Sequence, residues 1–189
     1  MTTARRVRYS YEDYLRSLEK SELKLEYCAG VIYATAGGTP THAELAASVI
    51  SLLRPALRGR CTVYTSDAKV RVETADFSAF PDVSVVCGER QVSSIDSNAL
   101  INPSVLVEVT SRSTEEYDRD EKTRQYQRLP SLRAVLLVSH REPRVTVVER
   151  VETGWTQRHS GPGERVTLAQ PSVSFMVDDL YAGVSLEAR

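Results

Sequence analysis

A chain of 189 residues with formal net charge -1, 41% hydrophobic and 26% charged residues can bury one substantial core but is short for two full domains. That balance excludes a disordered chain. It also excludes binding nucleic acid through a uniformly basic surface, leaving local clusters such as Arg54, Arg58 and Arg60 to concentrate positive charge.

The elements follow in chain order. Ser10 and Asp13 form a capping-box pattern, and Tyr11, Tyr14, Leu15 and Leu18 recur at helical spacing, predicting a leading helix. The stretches 22–27 and 31–34 alternate around Ala29-Gly30 as a hairpin. Gly37-Gly38-Thr39-Pro40 breaks the pattern. Beyond it His42, Leu45, Val49, Leu52 and Leu53 mark one face of a long helix, capped by Thr39 or Thr41 and ending near Arg58-Gly59. Strands are expected over 61–66 and 69–73, followed by a polar loop to Phe80-Pro81, with Asp82 opening the apolar run 83–87. A second polar loop spans 88–103. The run 105–109 is apolar enough to be a central strand buried on both faces.

Ser113, Thr114, Glu115 and Glu116 can cap a helix that reaches about Arg128, with Lys122 in its middle. A strand over 134–139, a hairpin from 144–150 and 154–159, and a tail carrying 166–168 and an amphipathic segment over 177–181 complete the chain. The expectation is a single domain over 1–189 of α/β (more strictly α+β) class: a mixed sheet flanked by helices, with an added N-terminal helix and hairpin and a C-terminal hairpin. Cys28, Cys61 and Cys87 are scattered and lack zinc or disulfide-framework spacing, so each reads as a small buried apolar residue. With no apolar segment after the basic N-terminus and no stretch of membrane-spanning length, the expected compartment is the reducing cytoplasm, away from any membrane.

Chemistry gathers in three fragments: Phe80-Pro81-Asp82, Val107-Glu108-Val109-Thr110, and Asp118 to Lys122. Carboxylates on two strands can share a Mg²⁺ ion through oxygen ligands, with an ammonium nearby to polarise water, a combination that cleaves phosphodiesters. Asp82 also reads as a turn aspartate bonded to nearby amides. Glu108 is costly inside a buried strand unless paired or metal-bound. Lys122 reads alternatively as a helix-surface partner of Asp118. Tyr126 lies one turn further, as core packing or as a phosphate contact. Glu26 reads as an accessory acid or a solvent-facing strand residue, and His42 as a structural histidine or an accessory one. His140 and His159 receive no role. Lysine is scarce, only four among 24 basic residues, which singles out Lys122. No G-x-S-x-G elbow, Walker loop, G-x-G-x-x-G or H-E-x-x-H occurs.

Taken together, 9–15, Leu25-Glu26-Tyr27-Cys28-Ala29-Gly30-Val31-Ile32-Tyr33, His42, Pro81-Asp82-Val83, Val107-Glu108-Val109-Thr110-Ser111 and 118–126 resemble the PD-(D/E)XK nuclease superfamily. The nearer resemblance is to the Uma family of restriction-endonuclease-like proteins. The resemblance implies a restriction-endonuclease-like core and a Mg²⁺- or Mn²⁺-dependent endonuclease acting on DNA. Asp82 and Glu108 would hold the metal with the Val109 carbonyl, Lys122 would activate water and Glu26 would assist. The superfamily's lysine normally sits two residues after the glutamate, at Thr110 here, so the resemblance implies that it has migrated to Lys122. A homodimer follows by analogy, since cutting a duplex needs two sites. Two other readings stand beside it: a catalytically silent member of the fold that dimerises or binds a partner, and an enzyme acting on RNA or a nucleotide.

Overall fold

The computed structural model describes residues 7–35, 38–110 and 121–186. Helix α1 (Tyr11–Lys20) begins at the predicted capping box, Ser10 accepting from the Asp13 amide while Asp13 accepts from the Ser10 amide. Strands β1 (Leu25–Cys28) and β2 (Val31–Ala34) are joined through Ala29 and Gly30, both at positive φ (46° and 88°). Glycine takes up the second of these positions without steric cost. Helix α2 (Pro40–Ala56) is capped by Thr39 and buries Leu45, Val49 and Leu53 along one stripe, the spacing expected of a helix laid on a sheet.

Ten short strands follow α2 and precede or form the C-terminal region: β3 (Cys61–Thr65), β4 (Lys69–Val72), β5 (Phe77–Ala79), β6 (Val83–Cys87), β7 (Val92–Ser93), β8 (Asp96–Leu100), β9 (Val105–Val109), β10 (Ala134–Val138), β11 (Val145–Val151) and β12 (Gly154–Ser160). With β1 and β2 they make two six-stranded sheets, where a single mixed sheet was expected. The first runs β2-β1-β5-β4-β8-β7 and the second β12-β11-β10-β9-β6-β3. Each is mixed: β4 and β8 are parallel in one, β9 and β10 in the other, and the remaining pairs are antiparallel. A small hairpin, β13 (Arg165–Leu168) and β14 (Val173–Met176), leads into helix α4 (Val177–Tyr181).

Alternation along the strands sets the layers. Val105, Val107 and Val109 of β9 pack with α2, α4 and the β13–β14 hairpin. Leu106 faces the other way, joining Val70, Val72 and Phe77 of the first sheet together with Tyr126. On the far side of the first sheet, Tyr11 and Tyr14 of α1 pack on Tyr27, with ring centroids 5.3 to 5.4 Å apart. Buried Lys69 pairs with Asp96 at 2.7 Å and Tyr11 donates to Asp96 at 2.6 Å, fastening α1 to β4 and β8. Burial, reinforced by Asp96, pushes the Tyr11 phenol upward.

The cysteine expectation is corrected. Cys61 and Cys87 are directly opposite in the β3–β6 register, with Cα atoms 4.0 Å apart, and form a disulfide. Only Cys28 is a free, half-buried thiol. Scattered spacing hid the pair because strand register, not sequence distance, brings them together, and the bridge removes one support for a reducing compartment. Among the described residues no helix is long and apolar enough to cross a membrane.

Candidate active site

Register sets the two strand-end acids on neighbouring strands. In the antiparallel β6–β9 ladder Val83 pairs with Val107. Asp82 immediately precedes β6 and Glu108 follows Val107 on β9, so the two acids stand at neighbouring strand ends. Glu108 looks into the layer between the two sheets, because it has the parity of Leu106. Asp82 is not a local turn aspartate: its Oδ2 accepts from the Val109 amide at 2.7 Å, across the ladder and 27 residues away.

Glu26 reaches the same layer from the opposite sheet. Tyr27 points to α1, so its neighbour Glu26 points inward. It is 3% exposed, and its Oε1 accepts from the Phe80 amide at 3.2 Å. Glu26 is therefore an interior residue and not a solvent-facing one.

Lys122 precedes helix α3 (Thr123–Tyr126) and is 6% exposed. Its Nζ lies 3.0 Å from Glu26 Oε1 and 3.2 Å from Glu108 Oε1. Tyr126, one turn on, donates to Glu108 Oε1 at 2.6 Å and sets its ring edge-on to Phe77 at 5.6 Å. Tyr126 is thus both core packing and a carboxylate partner. The predicted helical cap at 113–116, and Asp118 with it, lie outside the described residues.

Thr110, where the superfamily's lysine normally stands, turns to other partners. Its hydroxyl lies 3.4 Å from the Val138 carbonyl and 3.1 Å from His140 Nδ1, while Arg141 Nε donates to His140 Nε2 at 3.3 Å. An arginine cannot accept, so that ring accepts at Nε2 and donates at Nδ1. His140, given no role from sequence, is 1% exposed and braces the ends of β9 and β10. His159, also without a predicted role, lies 2.9 Å from Thr146 Oγ1 on the outer hairpin.

His42 is the residue whose place the sequence understated. At the start of α2, on the stripe of Leu45 and Val49, its Nε2 comes within 3.1 Å of Asp82 Oδ2. Its helical phase carried that signal, since the same stripe packs over β6 and β9. Arg54, by contrast, stands 12 residues along α2 from His42, about 18 Å at the helical rise, and Arg58 lies beyond the end of that helix, so neither lines this site.

The donor set suits a hard cation. Carboxylate oxygens on adjacent strands match Mg²⁺, which is usually held by one or two carboxylates with water and phosphate filling the rest of the shell. Among the described residues no three His, Cys, Asp or Glu side chains cluster as a complete metal cage. Cys28, two residues beyond Glu26 on β1, has its thiol pushed up by burial and further by Glu121.

Comparison with known proteins agrees with this architecture. The Uma2 family, described as "Putative restriction endonuclease", matches residues 11–178. Two proteins of Synechocystis sp. (strain ATCC 27184 / PCC 6803 / Kazusa) are similar in sequence. "Uncharacterized protein slr1290" is 34% identical over 178 residues, covering 93% of each chain. "Uncharacterized protein sll1609" is 28% identical over 127 residues, covering 67% of this chain and 72% of its own. A solved structure described as "a putative nuclease belonging to DUF820", from Anabaena variabilis ATCC 29413, superposes with a TM-score of 0.77 at 16% identity, covering 92% of this chain and 98% of that one, a likeness of fold. A family match across nearly the whole chain, on a nuclease-like fold, places this protein in the Uma2 family.

Proposed function

We propose that this protein is a metal-dependent endonuclease that hydrolyses DNA phosphodiesters, with its site between the two sheets at the C-terminal end of β9. The observation that supports this most strongly is Asp82 bonded to the Val109 amide next to Glu108, with Lys122 bridging Glu108 and Glu26. Asp82 and Glu108 would hold Mg²⁺ or Mn²⁺, with the Val109 carbonyl as a third oxygen. When bound, such an ion lowers the pKa of a coordinated water and offsets charge on the phosphate.

The chain's own residues do the positioning. Tyr126 fixes one oxygen of Glu108, and the Val109 amide fixes one oxygen of Asp82. Lys122 supplies an ammonium at the place where a water or a phosphate oxygen would approach Glu108, and Glu26 holds that ammonium from the other sheet. Substrate would displace part of this pairing, since a lysine already dehydrated by burial transfers to a phosphate oxygen at little further desolvation cost. A homodimer would supply the second site needed for duplex cleavage.

The catalytically silent reading is favoured by one observation: Lys122 is engaged by both glutamates, as a structural ion pair would be. Incubation with supercoiled plasmid, single-stranded DNA and RNA, with Mg²⁺, Mn²⁺ or EDTA, separates the two. The proposal expects metal-dependent nicking or linearisation of DNA by wild type, lost in Asp82→Ala and Glu108→Ala. Cleavage unchanged in both variants, or absent from folded wild type with either metal, overturns it.

A further inference from the structure

We infer that His42 is a positioning residue for the cation site, clamping Asp82 so that one carboxylate oxygen stays on protein and the other stays available to the ion. The inference rests on Asp82 being a metal ligand. Asp82 Oδ2 takes two partners from different directions, the Val109 amide at 2.7 Å and His42 Nε2 at 3.1 Å, and the described residues bring no donor to Oδ1. One hydrogen bond to a carboxylate oxygen leaves the group free to swing about it. A second contact on the same oxygen, from a helix instead of the neighbouring strand, restricts that swing and so the direction of Oδ1. The Nε2–H this requires is carried by a neutral tautomer and by the cation alike, so the role is that of a donor.

The neighbourhood of His42 holds the ring to this task. Thr39 caps α2 on the His42 amide at 3.3 Å, fixing the backbone from which the ring projects. Gly38 closes the other side. A Cβ added there would stand 2.6 Å from His42 Nδ1 and 2.8 Å from Cγ, closer than packing allows. Gly38 is not one of the positive-φ glycines, so its backbone makes no demand for glycine; the imidazole does. An alanine at this position would push the ring off Asp82 while leaving His42 in the sequence.

Groups that orient metal-bound carboxylates typically matter by about 10- to 100-fold in metal affinity. The test is calorimetric titration of Mn²⁺ into wild type, Asp82→Ala, His42→Ala, His42→Gln and Gly38→Ala, with thermal unfolding recorded for each. Expected are binding by wild type, none at this site in Asp82→Ala, and binding weakened about 10- to 100-fold in His42→Ala and Gly38→Ala. His42→Gln, whose amide N–H can reach the same oxygen, should recover most of the affinity. Wild-type affinity in His42→Ala, with Asp82→Ala still defective, overturns the role of His42 and leaves the metal site standing. No binding by wild type overturns the metal site and this inference with it. If His42→Ala does not fold, Gly38→Ala and His42→Gln decide: Gly38→Ala binding as tightly as wild type overturns the clamp.

Discussion

Lys122 Nζ lies 3.0 Å from Glu26 Oε1, an ion pair that ties the start of α3 to β1 of the first sheet while the same ammonium touches Glu108 of the second. Removing it strands two buried carboxylates. Breaking a buried ion pair from one side typically costs about 3 to 5 kcal/mol, so Lys122→Met should lower unfolding stability in urea by that order. The double variant Lys122→Met/Glu26→Gln should lose less than the sum of its parts, because it removes charge from both sides. Strict additivity in a double-mutant cycle would contradict the coupling.

Tyr126→Phe isolates one hydroxyl. The ring stays against Phe77, but the 2.6 Å bond to Glu108 is lost inside the core. Loss of a partner from a buried acceptor costs about 1 to 3 kcal/mol. Chemical denaturation should show a drop in that range; a variant as stable as wild type would mean that Glu108 is satisfied without it.

Cys28 should be a slow thiol. Its folded pKa is raised, first by burial and then by Glu121 and Asp76, so at any pH below the raised value it carries less thiolate than an ordinary cysteine, and thiolate is the reactive form. Iodoacetamide alkylation of native protein near pH 8 should be slower than in urea-unfolded protein and should accelerate as pH rises. Equal rates in the two states would refute the shift.

The β3–β6 bridge should contribute to stability through the denatured chain. Cys61 and Cys87 are 26 residues apart, and closing a loop of that order is typically worth about 2 to 4 kcal/mol. Cys61→Ser/Cys87→Ser should unfold at correspondingly lower urea, and dithiothreitol should bring wild type down to meet it. A double variant as stable as oxidised wild type would contradict this.

Much of the frame was legible because its signals are periodic. The α1 capping box, the stripe His42-Leu45-Val49 on α2 and the largely apolar runs of β6, β9 and β10 each announce their element. The first sheet was not legible as a separate sheet. Its strands β5, β7 and β8 are short and carry Ser78, Ser93 and Asp96, which look like loop residues until Tyr11, Glu73 and Lys69 on other elements satisfy them. The same applies to the site. Glu108 stood out as a charge inside an apolar strand, whereas Glu26 and Lys122 meet only because two sheets stack, and nothing in local sequence reports a contact between layers. His42 was half visible: its helical phase was readable, its partner was not.

The central claim is that Asp82 and Glu108 share one divalent ion, and anomalous diffraction from crystals soaked in Mn²⁺ tests it most directly. The account predicts a single strong manganese peak bonded to oxygens of both Asp82 and Glu108, beside Lys122, and its disappearance in Glu108→Ala. A soaked crystal with these two carboxylates ordered and no manganese between them would contradict it.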